Sequence, residues 1–390
     1  MKQFVSSIMA GGAVWLAACA DPATQPRATA PSATANSDVG VGGGRYAIGG
    51  VYTSTNGASG NAVVAFARYE NGTLAKIGEF ATGGSGIGGT TDPLTSQGAV
   101  VVSRDHKRLF VVNAGSNSIS TFAVSEDASL RLLGTINSGG TSPISLTLVN
   151  DQLYVLNGDN SITGFSAGGD GVPQLSSHRS LGAASDGPST IAGSTNGKFL
   201  FVTQRAAGAI DVIAVGTNGE LSAVSRRASS GGGPFGFAVT TRDQLIVSEA
   251  AGAAPNGAVS SYQLSGAGTL SVVSASLSTH QAAPCWLVAT RDGRFAYIAN
   301  SGSGSIAAYF VSPDGLLAEL SADGRTGVTN GTHATPLDID LSQDGKFLYA
   351  LQSGSGTIGA FAVGSDGRLS VRPDTPGLSA SAGFQGLAAF

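Results

Sequence analysis

Short apolar runs alternate with polar, glycine-rich turns along almost the whole chain. Within the runs the apolar positions follow the two-residue period of β-strands, and no stretch keeps the period of a helix. The glycine content, 58 of 390 residues, agrees with a chain that turns often. The pattern therefore predicts an all-β protein.

A unit of four predicted strands recurs along the chain. Its second strand aligns most clearly, as RLFVVN ending at Asn113, QLYVLN at Asn157, FLFVTQ at Gln204, QLIVSE at Glu249, FAYIAN at Asn300 and FLYALQ at Gln352. Successive ends lie 44, 47, 45, 51 and 52 residues apart, a spacing typical of β-propeller blades. Pairs such as Asn196-Gly197 and Asp344-Gly345 supply the positive φ that tight turns between strands require.

Six complete units run from about Ser96 to Leu378, and a seventh is divided between the two ends of the repeat region. Three further strands are predicted over Tyr46–Tyr52, Ala62–Arg68 and Leu74–Phe80, without a leading inner strand. The segment QGLAAF, residues 385–390, matches that missing strand. We therefore predict a seven-bladed β-propeller over residues 45–390, closed by the C-terminal strand so that no sheet edge stays open.

The first residues of the chain predict an export signal. An apolar stretch, Phe4–Ala18, is too short to span a bilayer and ends in Leu-Ala-Ala-Cys, which resembles a bacterial lipobox. We predict a lipoprotein signal peptide over residues 1–18, lipidation at Cys19 and a flexible tether over residues 19–44. The alternative is an ordinary signal peptide cleaved near Ala18. Asp21 is not adjacent to the cysteine, so we expect the periplasmic side of the cell envelope, at the outer rather than the inner membrane.

The repeat also predicts where a site would lie. Second strands run back toward the face where blades are joined, so their last residues are expected around the mouth of the central channel. The candidate binding residues there are Asn113, Asn157, Gln204, Asn300 and Gln352, together with Cys285 and Trp286, which open the sixth inner strand. Each amide either contacts a ligand or ties down a loop, and Trp286 either stacks on a ligand or packs. Glu249, a carboxylate at an equivalent position, either activates water as a general base or caps a loop.

The charge pattern excludes some partners. Charged residues make up 12% of the chain, the formal net charge is −4, and no Lys/Arg cluster occurs, so we expect no nucleic acid and no membrane contact beyond the lipid anchor. The four histidines stand alone, so no metal site and no cofactor are expected. Asp338 and Asp340 occupy alternate positions of an inner strand and point to the same side. Either a calcium site or a turn with satisfied hydrogen bonds would explain them. We expect a monomer.

The segments VVNAGSNSISTFAV (residues 111–124) and PFGFAV with LIVSEA (within residues 234–250) resemble lactonase-type seven-bladed propellers. That family includes 6-phosphogluconolactonase and the carboxy-muconate lactonising enzymes, and the resemblance covers residues 45–390. It implies that Glu249 matches the family's catalytic glutamate and that Gln352 is kept. The family's Gly-Pro-Arg-His becomes Gly-Pro followed by Phe235 and Gly236, and its other histidine and arginine fall at Ser189 and Leu337.

Arginines at these positions would bind a phosphate or carboxylate, and this chain lacks them. The resemblance therefore implies hydrolysis of a lactone that is not strongly anionic, at the channel mouth, with Glu249 as base. The alternative is a non-catalytic propeller that binds a small ligand or a protein at the cell envelope.

Overall fold

The computed structural model describes residues 46–168, 171–251, 257–328 and 334–390. The predicted signal peptide, the lipidation site Cys19 and the predicted tether lie outside these residues. The described part forms seven antiparallel sheets, each built from four successive strand positions. Two short 3₁₀ helices, Ala114–Ser116 and Ala184–Asp186, complete its regular structure.

The strands are named by their position in the blade, counted outward from the channel. The inner strands are β29 (Gln385–Ala389), β4 (Val100–Val102), β8 (Pro143–Val149), β12 (Pro188–Gly193), β16 (Pro234–Val239), β20 (Pro284–Ala289) and β25 (Pro336–Leu341). The second strands are β1 (Gly49–Ser54), β5 (Arg108–Asn113), β9 (Gln152–Asn157), β13 (Phe199–Gln204), β17 (Gln244–Glu249), β21 (Phe295–Asn300) and β26 (Phe347–Gln352).

The third strands are β2 (Ala62–Arg68), β6 (Ser118–Val124), β10 (Ser161–Ser166), β14 (Ala209–Ala214), β18 (Ala258–Leu264), β22 (Ser305–Val311) and β27 (Thr357–Val363). The outer strands are β3 (Leu74–Ala81), β7 (Leu130–Asn137), β11 (Gln174–Ser180), β15 (Ser225–Ala228), β19 (Leu270–Ser278), β23 (Leu317–Glu319) with β24 (Gly327–Val328), and β28 (Leu369–Pro376). In blade six, β23 and β24 both pair with β22.

The C-terminal strand closes the ring, as predicted. Strand β29 pairs antiparallel with β1 in the register Val51↔Ala389 and Tyr52↔Ala388. It lies between the inner strands β25 and β4 of the neighbouring blades. Strand β29 thereby takes the inner position beside β1, so the first blade has the same four strands as the others.

The core lies between the sheets rather than on one face of each. Second strands such as β13 and β26 are buried at every residue, whereas the outer strand β3 is largely exposed. This explains why the second strands read as continuous apolar runs in the sequence. The predicted turns are confirmed at Gly197 and Gly345, which have φ of +69° and +67°.

Tyrosines of the second strands link successive blades. The hydroxyl of Tyr52 donates to the carbonyl of Ala128 (3.0 Å), and that of Tyr297 donates to Gly367 (2.9 Å). The equivalent bond from Tyr349 to the Gly72 carbonyl (3.0 Å) joins blade seven to blade one. Each acceptor lies in the turn between the third and outer strands of the next blade, so the bond fixes the angle between two sheets.

Chain direction defines two ends of the central channel. We call the end where the inner strands begin and the blades are joined the loop-side end, and the end where the inner strands stop the turn-side end. Second strands run antiparallel to inner strands, so their last residues lie toward the loop-side end.

Candidate functional site

The six predicted positions at the ends of second strands are equivalent in the structure and are all buried. They are Asn113, Asn157, Gln204, Glu249, Asn300 and Gln352. Among the described residues, no hydrogen bond joins any two of the six side chains. The fold therefore places them around the ring, each inside its own blade, and does not gather them into one open site.

The contacts of Asn113 show what such a position does. Its Nδ2 donates to Ser120 Oγ (2.8 Å) on the third strand of the same blade. Its Oδ1 accepts bonds from Thr82 Oγ1 (2.7 Å) and Asn61 Nδ2 (3.0 Å) of the preceding blade. A Cβ on Gly84 would lie 2.6 Å from Asn113 Cγ, so a glycine of the inter-blade loop covers the amide. The side chain ties a loop and two blades together.

The other amides make related contacts. Asn157 donates to Ser161 and Thr163 (3.3 Å each) of its own third strand. Gln204 donates to Asn160 Oδ1 (2.8 Å) and Asp211 Oδ2 (2.9 Å).

Asn300 and Gln352 follow the same pattern at the end of the ring. Asn300 donates to Ser305 Oγ (3.1 Å), and Gln352 accepts from Ser355 and Thr357 (3.4 Å each). One polar atom of Asn157, Gln204, Asn300 and Gln352 is left without a partner in each case. A ligand contact for these residues stays a prediction.

Glu249 sits in the same kind of environment. Its Oε1 accepts hydrogen bonds from Gly231 N (2.7 Å), Ser260 Oγ (2.6 Å) and Ser229 Oγ (3.2 Å). Its Oε2 is buried without a partner and faces Gly231, and the residue is 1% exposed. Water reaches this carboxylate only if the loop around Gly231 moves. Its role as a general base stays a prediction.

Trp286 and Gln97 cross the channel near its loop-side end. Trp286 Nε1 donates to the Ser96 carbonyl (2.9 Å), although the two residues belong to blades that are not neighbours. The Gln97 amide pairs with the backbone of Leu287, donating to its carbonyl and accepting from its N–H (2.9 Å each). Trp286 is buried and meets Phe235 edge to face at 5.3 Å. The indole packs and offers no open stacking surface in this conformation.

The neighbouring Cys285 is also buried. The family-related positions Ser189, Phe235 and Leu337 are buried as well. The apolar side chains at two of them contribute to packing around the channel.

Two buried carboxyl groups were not predicted as a site. Asp92, in the loop before β4, and Asp338, the third residue of β25, are both inaccessible to solvent. Burial raises the pKa of each well above its usual range, and the charge of Asp92 raises the pKa of Asp338 further. Both oxygens of Asp92 and Oδ2 of Asp338 lack a hydrogen-bond partner of good geometry.

The surroundings offset this burial only in part. Ser96 N and the Gln385 side chain approach Asp92, and Gly98 N and Leu387 N approach Asp338; each lowers the pKa of the carboxyl it faces. Arg205, which follows β13, also lowers the pKa of Asp92, while burial lowers the pKa of the guanidinium. We call Asp92, Asp338, Gln385 and Arg205 the carboxyl site. It brings together four blades at the loop-side end.

Sequence reasoning had little to identify this site. Asp338 drew attention because it alternates with Asp340, whereas Asp92 lies in a glycine-rich loop without a motif. Among the described residues, no group of three His, Cys, Asp or Glu side chains is placed to hold a metal ion. The same residues contain no helix long and apolar enough to span a membrane.

Comparisons with known proteins agree with this architecture. A family model described as "Lactonase, 7-bladed beta-propeller" matches residues 59–167, 170–252 and 245–335, more than half of the chain. The curated proteins include none that matches this sequence.

Solved structures share the fold at low sequence identity. A putative 6-phosphogluconolactonase from Bacteroides fragilis is 18% identical, with a TM-score of 0.68 over 88% of this chain and 98% of that one. One from Bacteroides uniformis is 20% identical, with a TM-score of 0.67 over 86% and 98%. The periplasmic gluconolactonase of Pseudomonas aeruginosa is 17% identical, with a TM-score of 0.67 over 87% and 98%. The chain therefore belongs to the lactonase family of seven-bladed β-propellers.

Proposed function

We propose that the protein hydrolyses a lactone that is not strongly anionic, at the loop-side end of the channel, with Asp92 and Asp338 as its acid–base pair. The observation that carries the proposal is the burial of these two carboxyl groups with unpartnered oxygens. Such groups are costly to a fold and cluster at functional sites. Family membership supplies the reaction class.

The pair suits lactone hydrolysis because the charge of Asp92 raises the pKa of Asp338, which favours one ionised and one protonated carboxyl. The ionised carboxylate takes a proton from water as the water oxygen attacks the lactone carbonyl carbon. The tetrahedral intermediate then collapses with cleavage of the ring C–O bond. The protonated carboxyl gives its proton to the departing alkoxide, so the lactone and one water yield a hydroxy acid.

The charge of the carboxyl site supports a neutral substrate. Arg205 already faces Asp92, and the positions where the family resemblance expects arginines hold Phe235 and Leu337. A phosphorylated lactone would bring negative charge beside two carboxyl groups without a paired arginine to receive it. Substrate entry requires movement of the loop that carries Asp92, since the residue is buried.

A second candidate function is the binding of a ligand or protein without catalysis, at the cell envelope. The side chains of Gln97 and Trp286 that cross the channel favour it, because they limit access to the loop-side end. For either function, the predicted lipid at Cys19 would place the propeller on the periplasmic side of the envelope.

Proton release from a panel of neutral lactones and their phosphorylated counterparts tests the proposal. We expect the purified protein to hydrolyse neutral members faster than buffer does. The substitutions Asp338→Asn and Asp92→Asn should each lower kcat about a hundredfold or more, the usual cost of losing a general acid or base. Asp366→Asn, at an exposed turn of blade seven, is the matched control.

The same assay tests Glu249 as the base. A loss of turnover in Glu249→Gln with full activity in Asp338→Asn would assign the base to Glu249 and overturn the acid–base pair. Wild-type rates equal to buffer across the panel would leave the binding function.

A further inference from the structure

A cavity opens at the turn-side end of the channel. It has a volume of about 420 Å³ and is lined by the last residues of the inner strands β4, β8, β20, β25 and β29 and by the turns that follow them. This volume lies toward the lower end of small-ligand sites. We call it the turn-side cavity.

Two arginines give the turn-side cavity a positive rim. Arg104 follows β4 and Arg291 follows β20, and both are exposed. Neither forms an ion pair with a carboxylate of the described residues. The chain as a whole carries a formal net charge of −4, so two unpaired guanidinium groups at one opening stand out from the overall charge. Guanidinium groups bind carboxylates with two parallel hydrogen bonds.

Apolar side chains form about half of the cavity wall. Leu146 and Leu148 of β8 line it, together with Ala289. The ring of His106 stacks on Phe390, with centroids 4.6 Å apart and planes inclined by 10°. Burial and the charge of Arg291 lower the pKa of His106, which favours the uncharged imidazole in this wall.

The acidic group of the cavity, Asp340, carries little charge at pH 6. Asp340 accepts hydrogen bonds from the N–H groups of Leu341 and Ala389 (2.8 Å each). Burial raises its pKa to about 7, so the carboxyl is mostly protonated at pH 6. The two arginines then set the charge of the cavity.

We propose that the turn-side cavity binds a small organic carboxylate with an apolar body, its carboxylate held by Arg104 and Arg291. Charge at the rim and apolar walls below it match the two parts of such a ligand. The arginines of this site are not part of the carboxyl site, and the proposal does not depend on the proposed lactone chemistry.

Isothermal titration calorimetry at pH 6 with benzoate as the probe tests this. Benzamide, a neutral molecule of the same shape, measures the contribution of charge, and acetate measures the contribution of the apolar body. We expect benzoate to bind more tightly than either. Arg104→Gln and Arg291→Gln should each weaken benzoate roughly tenfold or more, the scale of one charged hydrogen bond.

Lys107→Gln and Arg294→Gln are the matched controls, because they remove a cation from the same two turns without lining the cavity. They should leave benzoate affinity unchanged. The proposal is overturned if benzoate does not bind at millimolar concentration, if benzamide binds equally well, or if the arginine and control variants behave alike. Tighter binding of inorganic phosphate than of benzoate would also overturn it.

Discussion

The polar residue at the end of a second strand must form hydrogen bonds both within its own blade and with the loop that arrives from the previous blade. An amide suits this position because it donates and accepts, as Asn113 does toward Ser120 and Thr82. Glu249 differs because the groups that surround it are donors: a backbone N–H and two hydroxyls. At this position a carboxylate therefore has a structural reason to be present, whatever its part in a reaction.

The free energy of unfolding of Glu249 variants measures the structural role of this residue separately from any role in a reaction. Glu249→Ala removes the acceptor of three hydrogen bonds in a buried place and should lower the free energy of unfolding by roughly 1–3 kcal/mol. Glu249→Gln keeps one acceptor oxygen and should recover most of that loss. Urea denaturation of both variants measures the difference. An alanine variant as stable as the wild type would contradict the structural role.

Asp340 predicts a pH dependence of stability. Burial raises its pKa to about 7, whereas an aspartate in an unfolded chain titrates near pH 3.9. Between about pH 4 and pH 7 the unfolded chain has lost a proton that the folded chain keeps, so raising the pH favours unfolding. The loss is at most about 1.4 kcal/mol per pH unit and levels off above pH 7.

Asp340→Asn removes this titration. The free energy of unfolding of the variant minus that of the wild type should therefore increase between pH 4 and pH 7 and then stay constant. The variant also loses one acceptor for the N–H groups of Leu341 and Ala389, which shifts the whole curve without changing its shape. Urea denaturation from pH 4.5 to 8.5 measures the curve, and a difference independent of pH would refute the prediction.

At the scale of the element, the blades depend on a few contacts that recur around the ring. The hydroxyl of Tyr349 reaches Gly72 and joins the last complete blade to the first. Tyr349→Phe removes this bond and leaves a carbonyl without its partner, so the free energy of unfolding should fall by roughly 1–3 kcal/mol. Tyr52→Phe, which removes the same bond between blades one and two, should cost a similar amount. Thermal denaturation compares the two, and no effect from either would contradict the role assigned to these hydroxyls.

Strand β29 is the element on which closure depends. Deleting residues 385–390 removes the backbone partners of β1 and the bond from Arg68 Nε to the Phe390 oxygen (2.7 Å). We expect a clearly lower melting temperature and aggregation through the exposed edge of β1. The buried substitution Leu387→Asp should act in the same direction, whereas Ala382→Asp, exposed just before the strand, should not. Light scattering during a thermal ramp measures both effects, and unchanged melting of the deletion would argue against closure by this strand.

These strands and turns could be predicted from the sequence because the patterns that specify them are local and recur in every repeat. The run ending at Asn113 and the run ending at Gln352 share a pattern that sets strand, turn and period together. The candidate site was much less predictable. Gln97 meets Leu287 across the channel, 190 residues away, and the charge of Asp92 acts on Asp338 of blade seven. Such contacts depend on how the ring closes, and no spacing within one repeat encodes them.

At the scale of the whole molecule, the two ends of the channel differ in charge and in their relation to the chain start. Buried carboxyl groups lie at the loop-side end, and unpaired arginines lie at the turn-side end. Strand β1 begins at the turn-side end, where Gly49 lies against the Phe390 oxygen. A lipid anchor upstream of residue 46 would therefore connect to the propeller at its turn-side end. The predicted tether of 26 residues, 19–44, would span about 25–30 Å as a flexible coil.

Lipidation of Cys19 is the prediction that determines where in the cell envelope the protein is located. We expect labelled palmitate to enter the wild-type protein in a bacterial host and the protein to fractionate with membranes. Cys19→Ser should abolish labelling and give a soluble or uncleaved form, whereas Cys285→Ser should still be labelled. An unlabelled mature protein that stays in the soluble fraction would overturn the anchor and leave a soluble envelope propeller.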